Sequence, residues 1–183
     1  MYIYASHMLH SWMSDATHGV NAVLPTVPRL PGDAAPPAVT IVQAMRDSES
    51  GQAQAPLTGL PALQIMPVQR PSQRTSPSVQ PYPADMLVTI TIRYIAANST
   101  QTDRMLRETE YTMLALDTVL ARLFRGQLTA AQTLRQSYAT LYGAHFMSAE
   151  STEWDTGYLN EKDTKTTAML NITLRGRFLL SQS

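Results

Sequence analysis

The chain contains no cysteine and little charge. The first absence excludes a disulfide framework, thiol catalysis, and zinc or iron–sulfur sites held by thiolates. It leaves the redox compartment open. Charged residues make up 15% of 183 residues, and 14 basic side chains balance 14 acidic ones. Phosphate contacts need clustered Lys and Arg, so sequence-specific nucleic acid is not an expected partner. No apolar run approaches the roughly 20 residues that span a bilayer, and no membrane partner is expected. The N-terminal Met1 to Met8 lacks the basic and apolar regions of a signal peptide. The expectation is a soluble protein that stays in the cytoplasm where it is made.

Glycine is also scarce, at eight residues. There is no Gly-x-Gly-x-x-Gly, no Gly-x-x-x-x-Gly-Lys and no Gly-x-Ser-x-Gly, so phosphate cradles and nucleophile elbows have no linear signature. No Ser/His/Asp set stands out, and there is no solenoid-type repeat. No enzyme activity, cofactor or metal is expected, although a site assembled in space can leave no linear motif.

What is present suits one domain. Hydrophobic residues reach 44%, near the globular average and enough for a core. The strongest pattern runs from Met86 to Gly126. Its first part alternates with period two: Val88, Ile90, Ile92 and Tyr94 point one way, and Leu87, Thr89, Thr91 and Arg93 the other. A polar joint, Asn98 to Asp103, leads into a long amphipathic helix ending at Gly126. Leu106, Met113, Leu116, Leu120, Leu123 and Phe124 form its expected apolar stripe. Asp117 falls close to that stripe. With no second carboxylate or histidine at usable spacing, it reads as a carboxylate paired at a subunit interface rather than a catalytic one.

The N-terminal 18 residues read as an amphipathic helix carrying Ala5, Met8, Leu9, Trp12, Met13 and Ala16, with Gly19 as its stop. Its stripe packs on a sheet or, through its Met and Trp residues, on a partner. Of His7, His10 and His18, the first two share a helix face at i, i+3 but have no Asp or Glu close enough to complete a metal motif. Five prolines between Pro25 and Pro37 enforce an extended path. Strands are expected at Ala38 to Met45 and Ala62 to Met66, where Pro67 confines the second to an edge or ends it. The surrounding stretch, 51–85, is a Pro-rich loop or arm that orders on assembly or stays flexible.

Thr129 to Gln132 resembles a capping box for a short helix with Leu134, Tyr138, Leu141 and Tyr142, stopping at Gly143; Tyr138 to Tyr142 also permits a strand. Glu150 to Asp163 reads as an acidic solvated loop or docking edge whose carboxylates miss the calcium-loop spacing. The last strand alternates cleanly. Ala168, Leu170, Ile172, Leu174, Gly176, Phe178 and Leu180 oppose Thr167, Asn171, Thr173, Arg175 and Arg177. It is the expected antiparallel neighbour of Met86 to Ile95. Arg93, Arg175 and Arg177 then share the sheet's outer face, where they meet solvent or an acidic edge of a neighbouring subunit.

The elements compose a single α+β domain over 1–183. A mainly antiparallel sheet packs against an N-terminal helix and a long central helix, with the Pro-rich loop inserted.

Five segments, Leu9 to Met13, Pro37 to Val42, Val88 to Arg93, Tyr111 to Leu120 and Met169 to Arg175, carry a resemblance in element order. The chain resembles the tail terminator proteins of long-tailed bacteriophages and the related tube-capping proteins of contractile injection systems. The resemblance implies a virion protein of the tail or neck, assembled in the host cytoplasm. It implies a ring, usually sixfold, that ends tail-tube growth and receives the head-side connector or stopper. The implied partners are copies of the chain itself, the tail tube protein and that connector. Arg93 and Asp117, with Arg175 and Arg177, are the expected cross-subunit groups. The length of the Pro-rich stretch leaves room for another neck or collar protein. Two alternatives are a soluble adaptor binding through its loops, and an enzyme with a nonlinear site around Asp117 and a histidine.

Overall fold

A computed structural model describes residues 2–43, 45–46, 53–54, 59–67, 85–96, 102–158 and 166–178. Helices α1 (Tyr2–Met13) and α2 (Val20–Val23) and a single 3-10 turn (Leu24–Thr26) precede strands β1 (Thr40–Gln43), β2 (Met45–Arg46), β3 (Ala53–Gln54), β4 (Ala62–Pro67) and β5 (Asp85–Ile95). Helices α3 (Thr102–Phe124) and α4 (Thr129–Tyr142) follow, then strands β6 (Ala144–Tyr158) and β7 (Thr166–Phe178). The fold is α+β. Among the described residues, five strands form one sheet in the order β1-β4-β5-β7-β6, and β2 with β3 form a separate small ladder. The β1–β4 pair is parallel and the other pairs of the main sheet are antiparallel. β4 is thus an interior strand, and Pro67 acts only as its end.

The period-two alternation decides which face is apolar. Val88, Ile90, Ile92 and Tyr94 of β5 join Leu63 and Ile65 of β4, Ile172 and Leu174 of β7, and Phe146 of β6 in one core. Met8, Leu9 and Trp12 of α1 and Leu116, Val119 and Leu123 of α3 belong to the same core. Burying each such side chain contributes roughly 1.5–3 kcal/mol. The helices therefore share one face of the sheet. The Trp12 indole N–H donates to the Val119 carbonyl at 2.9 Å, satisfying the one polar atom of an otherwise apolar contact. Because Met8, Trp12 and Met13 are buried in their own core, the α1 stripe is not a partner-binding surface.

Several local expectations need correction. α1 ends at Met13, short of Gly19. The Asp15 carboxylate accepts the Thr17 and His18 N–H groups at 2.8 and 2.7 Å, which builds a turn in place of a continued helix. Gly19 has φ −75° and caps α2; a Cβ there would run into the Met13 and Asp15 carbonyls, so close backbone approach is what requires glycine. In α3 the buried phase runs through Met105, Thr109, Thr112, Leu116, Val119 and Leu123, while Leu106 is 38% exposed. Thr109 and Thr112 enter the core because their hydroxyls donate to the Met105 and Glu108 carbonyls, at 2.7 and 2.8 Å. Of the expected stripe, Met113, Leu116, Leu120 and Leu123 are buried and Phe124 packs on the core, whereas Leu106 is outside it and the two threonines are inside it against expectation. Asp117 consequently lies on the exposed side of α3, away from the apolar stripe.

Thr129 is already helical. The residue before α4 is Leu128, which makes no side-chain cap, and the Gln132 N–H bonds the Leu128 carbonyl at 3.1 Å; no capping box forms. Gly143 does stop α4, in the left-handed region at φ 62°, and Tyr138 to Tyr142 are helical. The acidic stretch expected as a loop is β-strand up to Tyr158, paired with β7. Register shifts between Phe146 and Ser148 and between Thr152 and Trp154 break its alternation, which hides the strand from a period-two reading. The arm over 68–84, Glu161, Asp163 and Leu180 lie outside the described residues.

Tyr94 links this core to pH. Its hydroxyl is pushed up to about 12, mainly because burial disfavours the phenolate, with Glu108 adding and the Thr112 hydroxyl opposing. An unfolded tyrosine titrates near 10, so the unfolded chain loses this proton first. The contribution is complete below about pH 10 and is lost as pH rises toward 12, by up to roughly 2–3 kcal/mol. Denaturant titrations between pH 9 and 12 should show this loss in the wild type and a flatter profile in Tyr94→Phe. Equal slopes in the two proteins would contradict it.

Candidate functional site

The described helices pack on one face of the sheet; by register the other face mixes polar residues with apolar ones such as Met66, and it takes Glu150 and Asp155 from β6. Thr89, Thr91 and Arg93 project from β5 on the side opposite the core, and Thr173 and Arg175 from β7. Thr89 and Thr173 are register partners whose hydroxyls lie 3.4 Å apart. Gln64 of β4 is the register partner of Arg93, and Val42 of β1 flanks Gln64.

This Gln64–Arg93 pair is electrostatically unfinished. Gln64 is 3% exposed, yet its Oε1 has no hydrogen-bond partner. Arg93 Nε is likewise buried and unpartnered. Burial of the guanidinium lowers the Arg93 pKa from its ordinary value. A buried donor or acceptor left without a partner costs about 1–3 kcal/mol.

The register places Arg93, Arg175 and Arg177 on this same face, Arg175 opposite Leu87 and Arg177 opposite Asp85. They do not form one cluster. Arg93 stands six positions along β5 from Leu87, about 20 Å at the rise of a strand. The Arg177 side chain lies outside the described residues. Asp117 is exposed on α3, on the helix-covered side, so Arg93 and Asp117 are separated by the thickness of the sheet within one chain. Asp117 and Arg175 each make a contact within their own chain.

The histidines are dispersed. His7 Nδ1 meets the Tyr138 hydroxyl, and His18 stacks on Trp12 with ring centroids 5.6 Å apart. Among the described residues no group of three or more His, Asp or Glu is placed to hold a metal, and no helix is long and apolar enough to cross a membrane.

One further site had no sequence signal. A cavity of about 220 Å³ lies between the proline-rich crossover and α3, lined by Gly32, Asp33, Arg104, Arg107, Glu108 and Tyr111. The Tyr111 hydroxyl donates to Asp33 Oδ2 at 2.7 Å and accepts the Leu30 N–H at 3.1 Å. Arg107 approaches Asp33 at 3.4 Å and Arg104 approaches Glu108 at 2.8 Å. Each cation there already has a carboxylate, so the network fastens the crossover to α3 rather than attracting a charged ligand. Its partners lie about eighty residues apart, 78 for Tyr111–Asp33 and 81 for Leu30–Tyr111, beyond any local motif. No family model matches the chain, and no curated protein matches it.

The unfinished pair yields a stability test. Arg93→Met keeps the aliphatic reach and removes a half-buried, unpaired charge. The isolated chain should gain roughly 0.5–1 kcal/mol in denaturant unfolding. A loss above about 1 kcal/mol would show that Arg93 stabilises its own chain.

Proposed function

We propose that this chain is the subunit of a closed ring that caps a bacteriophage tail tube and joins it to the head-side connector. The observation that carries the reading is that, among the described residues, the helices pack on one face of the sheet and Arg93 and Arg175 stand on the other. Resemblance in element order to tail terminators supplies the kind of assembly. The role is structural, in the virion neck, with copies of the chain, the tube protein and the connector or stopper as partners. Arg93, Asp117, Arg175 and Arg177 are the proposed subunit-interface groups, because they lie on opposite sides of one protomer. Rings use such heterologous contacts, closed by rotation.

Mass measurement and negative-stain imaging of the purified protein, alone and mixed with tail tubes, test this. Rings alone or at tube ends are the expected result. A strict monomer that never associates with tube ends overturns the reading.

A further inference from the structure

We infer that β6 ends the sheet as a guarded edge, whose bulges and carboxylates keep a strand of another copy from pairing there. This holds whether or not copies of the chain form a ring. Among the described residues β6 pairs with β7 alone, so its other side is an edge of the sheet. At 15 residues it is also the longest strand, against 13 in β7 and 11 in β5. A long regular edge presents a row of N–H and C=O groups without ladder partners, which invites pairing with another chain.

Two features interrupt that row. The register shifts leave Met147 and Glu153 without a partner on β7, whereas the β5–β7 pairing inside the sheet has no shift. They cut β6 into regular runs over 144–146, 148–152 and 154–158, none longer than five residues. Each bulge also adds local twist, so successive runs do not present one straight edge. The carboxylates are the second feature. Glu150 is the centre of the run 148–152, Asp155 belongs to the run 154–158, and Glu153 is the extra residue between them. On the other four strands of the main sheet Asp85 is the sole acidic residue. The acidic residues are thus gathered on the strand that ends the sheet. Two such edges meeting antiparallel about Glu150 would set carboxylate against carboxylate, and like charges directly opposite each other destabilise a pair of strands.

The opposite edge needs less protection. β1 is four residues long, Thr40–Gln43, and a short edge strand is a poor template. The Asn21 side chain closes the backbone just before it: Nδ2 donates to the Val39 carbonyl at 3.0 Å, and Oδ1 accepts the Val39 N–H at 2.8 Å. Copies that meet through this sheet are left its face rather than its edges.

Deleting Glu153 tests the guard without disturbing the register, because Thr152 and Trp154 already pair with consecutive residues, Asn171 and Leu170. An open-edge variant combines that deletion with Glu150→Thr and Asp155→Thr, giving one uncharged run from 148 to 158. A recharged variant combines the deletion with Glu150→Lys and Asp155→Lys. Both move the net charge away from zero, which by itself favours solubility, so added association belongs to the edge. Mass is followed by light scattering after gel filtration over a concentration series, with thermal unfolding to show that each protein is folded. The open-edge variant should associate beyond the wild type's own state at a concentration at least about tenfold lower than the wild type does. The recharged variant should behave as the wild type, since two lysine edges repel. An open-edge variant no more associated than the wild type overturns the inference, and so does a recharged variant that associates as readily as the open-edge one. If the deletion prevents folding, Glu150→Thr/Asp155→Thr and Glu150→Lys/Asp155→Lys without it decide: association of the threonine protein at the lower concentration supports the guard, and equal behaviour overturns it.

Discussion

The antiparallel pairing of β5 with β7 is the constraint on which the rest depends. Its register runs without interruption from Asp85 opposite Arg177 to Ile95 opposite Thr167. A slip of one residue on either strand would exchange its faces. Ile90 and Ile172 would then leave the core, and Arg93 or Arg175 would enter it. Burying an unpaired guanidinium costs several kcal/mol, so the alternation holds the register as firmly as the hydrogen bonds do. β4 and β1 extend the sheet on one side and β6 on the other, each inheriting its faces from this pair.

The helices complete one face only. α1 and α3 are joined through Trp12 and Val119, and the Tyr111–Asp33 network ties the proline-rich crossover to α3. α4 adds an aromatic cluster at the end of α1, where Tyr4 stacks on Tyr142 at 4.6 Å and His7 meets the Tyr138 hydroxyl. Nothing comparable crosses to the outer face among the described residues. The described residues are asymmetric about the sheet: the helices and the apolar core lie on one side, and Gln64, with its buried and unpartnered Oε1, and Arg93 lie on the other. That asymmetry is a property of the fold; the ring is our account of its use.

Much of this was legible in the residues. Clean alternation in Val88 to Tyr94 and Ala168 to Phe178 made both strands and their pairing readable, because the register between them runs without a bulge. The long helix and most of its apolar stripe were equally plain, but not the width of its buried face: Thr109 and Thr112 look polar yet bury their hydroxyls against helix carbonyls. β6 escaped notice because two register shifts scramble its period. Gly19 and Thr129 misled for a shared reason, since glycine and Thr-x-x-Gln fit several local structures and only tertiary contacts choose among them. At the candidate site, the shared face of Arg93, Arg175 and Arg177 followed from parity along two strands. Their spread along the sheet, and the orphaned atoms of Gln64 and Arg93, required the register with β4 and β7.

The absence of cysteine allows a direct test of the claim that copies of the chain meet through the sheet of one and α3 of the next. A Thr91→Cys/Glu110→Cys protein carries its only two thiols on opposite sides of the sheet, where they cannot pair within one chain. Mild oxidation of the assembled protein, followed by denaturing electrophoresis, should give a ladder of covalent multimers ending at the ring size. Assemblies that yield no covalent multimers would contradict the account.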